Sequence, residues 1–161
     1  MRTTFGEIIQ EVLRHEGGYV NDAVDKGGET KYGISKRAHS DVDIKNLTVE
    51  EACAIYREDY WKPSKAEKLP EELREPYFLF VVNAGQGNGV KVLQRACNGK
   101  NSKDEQIKVD GRIGRMTIAA SQKLERNRLI SYVVLHYAKI VYGNSSQERF
   151  WYGWYRRALG L

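Results

Sequence analysis

Phe5, Ile8, Ile9, Val12 and Leu13 recur at three- and four-residue intervals, and the stripe they form ends on a carboxylate, Glu16, followed at once by Gly17 and Gly18. Apolar residues at that spacing share one face of an α-helix. Thr4 with Glu7 three residues later is the paired cap that starts such a helix, and the two glycines predict its end. Glu16 stands eleven residues after Phe5, so it falls on the apolar face at the last turn. A carboxylate there is expected to be partly desolvated and to meet the negative end of the helix dipole, and both effects raise its pKa. The stripe must be buried against the rest of the chain, with an acid at the edge of the core.

The segment after the helix is unusual for a connection. Residues 14–35, RHEGGYVNDAVDKGGETKYGIS, hold five glycines and four acids. DKGGE reads as a tight turn and TKYGI alternates after it, which predicts a small hairpin over residues 19–34. Everything beyond looks helical. Thr48 and Glu51 repeat the paired cap, with Val49, Ala52, Cys53, Tyr56 and Tyr60 on one face, and Pro63 is expected to end that helix. YFLFVVNAG follows Pro76 and stops at Gly85. VKVLQRACNG predicts a helix with a glycine stop, and VDGRIG a turn before the helix RMTIAASQKL. Leu129, Val133, His136 and Ile140 mark a long helix, in which His136 reads as a hydrogen-bonded core residue. Phe150, Trp154 and Ala158 mark the last. The expected fold class is mainly α (α+β), with one small N-terminal β-hairpin.

The chain has 161 residues, 41% of them apolar, enough for one domain with a real core. No repeat, low-complexity tract or linker divides it, so residues 1–161 are expected to form a single domain and a monomer. Lys and Arg outnumber Asp and Glu by 26 to 21, a net charge of +5. The excess is spread along the chain, so attraction to a polyanion and simple solubility both fit. Cys53 and Cys97 form no C-x-x-C pair and read as small buried hydrophobes. His15, His39 and His136 have no ligand spacing, so neither a metal nor a cofactor is expected. MRTTFGEIIQEVLRHE has no continuous apolar core, so no signal peptide is expected, and no segment is long enough for stable membrane insertion. No basic helix or recognised motif points to nucleic acid.

Glycoside hydrolysis needs a carboxylic acid to protonate the leaving oxygen and a second group across the sugar ring. An apolar helix end raises the pKa of one carboxyl, while a polar, open hairpin keeps another ionised. Glu16 and Asp25 fit those two environments, and Thr30 could help hold a water. On spacing alone, a Glu before Gly-Gly is more often an ordinary solvated helix end. Tyr19 and Tyr32 flank the hairpin and Asn83 ends an apolar helix, which makes them candidate sugar contacts, with Asp22 beside them. Tyr60, Trp61, Trp151, Trp154 and Tyr155 could stack on sugars or fill the core, and Trp154 follows the core stripe.

HEGGYVNDAVDKGGETKYGIS closely resembles the signature of glycoside hydrolase family 108, the N-acetylmuramidases of bacteriophages and bacteria in the lysozyme-like superfamily. That pattern runs E-G-G-Y-V-N-D-P-x-D-x-G-G-x-T-x-x-G-I-S, and Ala23 stands where the family commonly has Pro. IYREDYWKP, FVVNAGQGNGVKVLQRACN with VDGRIG, and RFWYGWYRRAL agree in the family's order and extend the resemblance over nearly the whole chain. The resemblance implies a lysozyme-like fold with the hairpin flanking an active-site cleft. Residues 1–85 would be the catalytic region and residues 86–161 a helical region resembling peptidoglycan-binding repeats.

The family's acid falls on Glu16. A more distant likeness to the Glu, Asp and Thr of phage lysozymes puts the second carboxylate on Asp25 and the water-holding hydroxyl on Thr30. Here the Asp-to-Thr spacing is one residue shorter, and Asp22, then Glu29, are rivals to Asp25. The implied activity is hydrolysis of the β-1,4 bond between N-acetylmuramic acid and N-acetylglucosamine in bacterial peptidoglycan. The implied biology is an endolysin that waits in the host cytoplasm and acts on the wall from the periplasm. A lytic transglycosylase, or a non-catalytic wall-binding or secretion-assisting module, are the alternatives.

Overall fold

The computed structural model describes residues 1–21 and 28–160. Helix α1 (Phe5–Glu16) opens with the reciprocal cap: the Thr4 hydroxyl accepts the Glu7 amide, and the Glu7 carboxylate accepts the Thr4 amide. It ends at Gly17, whose φ of 74° only glycine adopts at little cost. Phe5, Ile8, Ile9 and Val12 are buried, as the stripe predicts. Glu11 is buried beside them.

The expected hairpin is a three-stranded antiparallel sheet, ordered β1 (Val20–Asn21), β2 (Glu29–Lys31), β3 (Ile34–Ser35). Val20 pairs with Thr30, and Thr30 with Ser35. TKYGI is therefore not one alternating strand. It reverses at Tyr32-Gly33, where φ values of 52° and 77° make a two-residue turn. A turn with both central residues left-handed matches the twist of the strands it joins.

The next helix also runs differently from its sequence signals. After α2 (Val49–Tyr56) the chain widens into a π-helical turn, Arg57–Trp61, in which the Lys62 amide donates to the Arg57 carbonyl, and then continues as α3 (Lys62–Ser64). Pro63 lies inside this helix rather than ending it. A proline ring clashes with the carbonyl four residues back in a regular α-helix, and the widened turn relieves that clash. The stop comes at Lys65, with φ 51°.

Pro76 likewise lies within α4 (Glu71–Ala84), which begins six residues before the expected start at Tyr77 and stops at Gly85. α5 (Gln86–Asn98), α6 (Arg115–Ser121), α7 (Arg126–Gly143) and α8 (Trp151–Leu159) complete the chain. No helix among the described residues is long and apolar enough to cross a membrane.

Two aromatic groups tie the helices together. Phe5, Trp61 and Phe78 meet with centroids 5.0–6.3 Å apart, locking α1, the π turn and α4. Phe80 packs edge-on to Tyr137, and Tyr137 stacks on Trp154 at 5.1 Å, joining α4, α7 and α8. Trp154 is thus a packing residue, as its stripe suggested. His136 is half-buried with its ring edge-on to Phe80, and burial lowers its pKa. Aromatic packing rather than a hydrogen bond defines its place. Cys97 is buried and its thiol is pushed up to about 11 by desolvation, whereas Cys53 is only half-buried, short of the expected full burial. The VDGRIG turn is fixed by Gln94, whose buried amide donates to Asp110, Thr117 and the Arg112 carbonyl and accepts from the amides of Asp110 and Gly111.

Candidate active site

Glu16, the last residue of α1, is half-buried and reaches under the β2–β3 turn. A β-carbon built on Gly33 would stand 2.9 Å from Glu16 Oε2, 2.9 Å from Glu16 Cγ and 2.6 Å from the Tyr56 hydroxyl. All three atoms converge on one point, which only glycine leaves open. The Tyr56 hydroxyl donates to the Tyr32 carbonyl at 2.9 Å and so holds the turn down on the carboxylate.

The rings of Tyr56 and Tyr60, from successive turns of α2 and the π segment, pack at a tilt of 46° with centroids 5.2 Å apart. Burial raises the pKa of both hydroxyls. The nearby Glu16 charge raises them further. Both are therefore neutral donors at any physiological pH. A π turn is a common way to aim side chains at a functional site, and here the widened turn carries Tyr60. Tyr56 and Gly33 are the members of the site that sequence reasoning missed. The signal available for Tyr56 was that it shares a helix face with Tyr60, while the Tyr32-Gly33 turn looks in sequence like continued alternation.

The other expected site residues fall on several different elements. Thr30 is half-buried in the middle strand, two residues before the turn. Asp25 and Asp22 lie outside the described residues. Tyr32 supplies the turn carbonyl, and its ring is 5.5 Å from the Lys31 ammonium. Tyr19 is 39% exposed and its hydroxyl donates to Glu29 at 2.8 Å, bridging β1 and β2. Asn83 is exposed at the end of α4, with its amide donating to the Tyr137 hydroxyl and accepting from Arg157 at 2.6 Å. A sugar acetamido group would share or displace those bonds. Trp61 is 5% exposed and belongs to the core.

A dense charge network gathers around Glu11 of α1 and Glu75 of α4. Glu11 and Glu75 are both buried and both accept from Arg2, at 2.8 and 2.6 Å. Glu11 also pairs with Arg14 and, at 2.7 Å, with His15. Burial works against the Glu11 charge, but the Arg14 bond and the Arg2 charge outweigh it and hold the carboxyl below its usual range. Among the described residues, no group of three His, Cys, Asp or Glu side chains is placed to hold a metal ion.

A family model described as glycosyl hydrolase 108 matches residues 9–85, which contain Glu16, the sheet and the Tyr56–Tyr60 pair. Residues 9–85 belong to glycosyl hydrolase family 108. A second model, described as a predicted peptidoglycan domain, matches residues 88–159. Among solved structures, the Brucella abortus protein SagA is similar to this chain, at 28% identity over 96% of this chain and 88% of that one, with a TM-score of 0.75. No curated protein matches the chain. The glycosyl hydrolase 108 assignment makes this a peptidoglycan-hydrolase-type glycosidase with a peptidoglycan-binding region, acting on the cell wall. Its fold is the mainly helical, lysozyme-like one with a small N-terminal sheet.

Proposed function

We propose that the protein is an N-acetylmuramidase that hydrolyses the β-1,4 bond between N-acetylmuramic acid and N-acetylglucosamine, with Glu16 as general acid. The observation that carries this reading is the half-buried Glu16 carboxylate held against the Gly33 turn beside two neutral tyrosines. Glu16 gives its proton to the glycosidic oxygen as the bond to the muramic acid anomeric carbon breaks. A water adds to that carbon, and its proton restores the acid. Asp25 positions the water or stabilises the oxocarbenium ion, with Asp22 as its rival, and Thr30 holds the water. Tyr19, Tyr32 and Asn83 contact the sugars. The two matched regions work as one monomeric, lysozyme-like domain. The protein is an endolysin, held in the host cytoplasm until it reaches the wall.

Mass spectrometry of muropeptides released from purified peptidoglycan tests this. Hydrolysis gives reducing muramic acid ends. A lytic transglycosylase would give 1,6-anhydro ends one water lighter, and a wall-binding module would release nothing.

A further inference from the structure

A concave surface opens between the last turn of α1, which carries Arg14 and His15, and α8. It measures about 420 Å³ and is lined by Arg14, His15, Gly153, Arg156 and Arg157. No carboxylate is among these residues. A helix turns about 100° per residue, so while Glu16 points to the Gly33 turn, Arg14 and His15 leave the helix end in other directions and face α8. The cations are held in place from behind. Buried Glu11 accepts from Arg14 and His15, Asn83 accepts from Arg157, and the Trp154–Tyr137 stack fixes α8. A β-carbon at Gly153 would meet nothing within 4 Å, so the floor between the arginines is open.

We propose that this groove binds the carboxylates of the peptide stem carried by muramic acid. It rests on the muramidase reading, because the stem would belong to the strand whose glycan passes Glu16. Guanidinium groups pair with carboxylates through two parallel hydrogen bonds, a geometry that suits free peptide carboxyls. The peptide stem contains an acidic residue and ends in a carboxylate, and it departs from the sugar next to the scissile bond. A cationic groove one residue from the acid therefore favours stem-bearing over denuded glycan.

Calorimetric titration of the full chain with soluble tetrapeptide stem tests the groove directly. Saturable binding is expected, weakened about tenfold by Arg14→Gln with Arg156→Gln and weakened further by salt. Arg156→Gln alone, at an exposed position on α8, should give an intermediate loss with an unchanged melting temperature. In hydrolysis, the wild type should show a lower KM for stem-bearing glycan than for amidase-stripped glycan, and the double variant should lose that preference. The proposal is overturned if the peptide does not bind or if the double variant binds it like wild type. It is also overturned if a fully amidated stem binds equally, or if inorganic phosphate competes as well as the peptide. The titration needs no hydrolysis. Peptide binding without bond cleavage would therefore remove the muramidase reading and keep the groove, and cleavage without peptide binding would remove the groove alone.

Discussion

Glu16 and Gly33 are in direct contact: a β-carbon at Gly33 would stand 2.9 Å from the Glu16 carboxylate. Gly33→Ala therefore meets two obstacles, a left-handed backbone at φ 77° and an occupied space. A residue forced into that backbone region costs about 1–3 kcal/mol. Gly17, at φ 74° with nothing within 4 Å of its β-carbon position, isolates the backbone part. Urea denaturation should show Gly33→Ala losing more stability than Gly17→Ala, and wall hydrolysis should fall more steeply in the former.

Tyr56→Phe removes the hydroxyl that ties the turn to α2 and leaves the Tyr32 carbonyl without that donor. The expected cost is about 1–3 kcal/mol by chemical denaturation. Hydrolysis should fall severalfold in protein that is still folded, because the turn over Glu16 is no longer held.

Glu11 sets an acid limit on stability. Its folded pKa is held below the usual value of 4.5. A carboxylate whose pKa is depressed on folding adds stability that is fully present above its unfolded pKa and is lost as pH falls through the folded one. Stability should therefore drop as pH falls below about 4.5, and Glu11→Gln, less stable at neutral pH because Arg2 and Arg14 lose a buried partner, should show a shallower drop. Denaturation midpoints measured across that range check the slope.

Among the acids beyond Glu16, Asp25→Asn should lose most hydrolytic activity, Asp22→Asn less, and Glu29→Gln less again, since Glu29 already accepts the Tyr19 hydroxyl. Initial rates on permeabilised cells give the order. Greater sensitivity at Asp22 would move the second carboxylate there and leave Glu16 in place.

The first helix was readable in detail because its cap, stripe and glycine stop agree with one another at every level. The paired cap at Thr48 and the glycine stops at Gly85 and Gly99 were readable for the same reason. The prolines misled. Pro63 and Pro76 each suggested a helix boundary, yet a π turn absorbs the first and the core packs around the second, so tertiary context overrode a local rule. The Tyr32-Gly33 turn was hidden because five alternating residues look alike whether they extend or reverse. At the site, Glu16 was legible from its position on the stripe. Tyr56 and Gly33 join it across gaps of 40 and 17 residues, and single-sequence periodicity carries no information about such contacts. Glu11 escaped notice because its burial depends on Arg2, Arg14 and His15 closing over it.

The most direct test of the account is Glu16→Gln, which keeps the side chain's shape and a hydrogen-bonding amide but removes the transferable proton. Muropeptide release from purified peptidoglycan should fall by about 10²–10⁴, while circular dichroism and the melting temperature stay at wild-type values. A folded Glu16→Gln protein that releases muropeptides at the wild-type rate would contradict it.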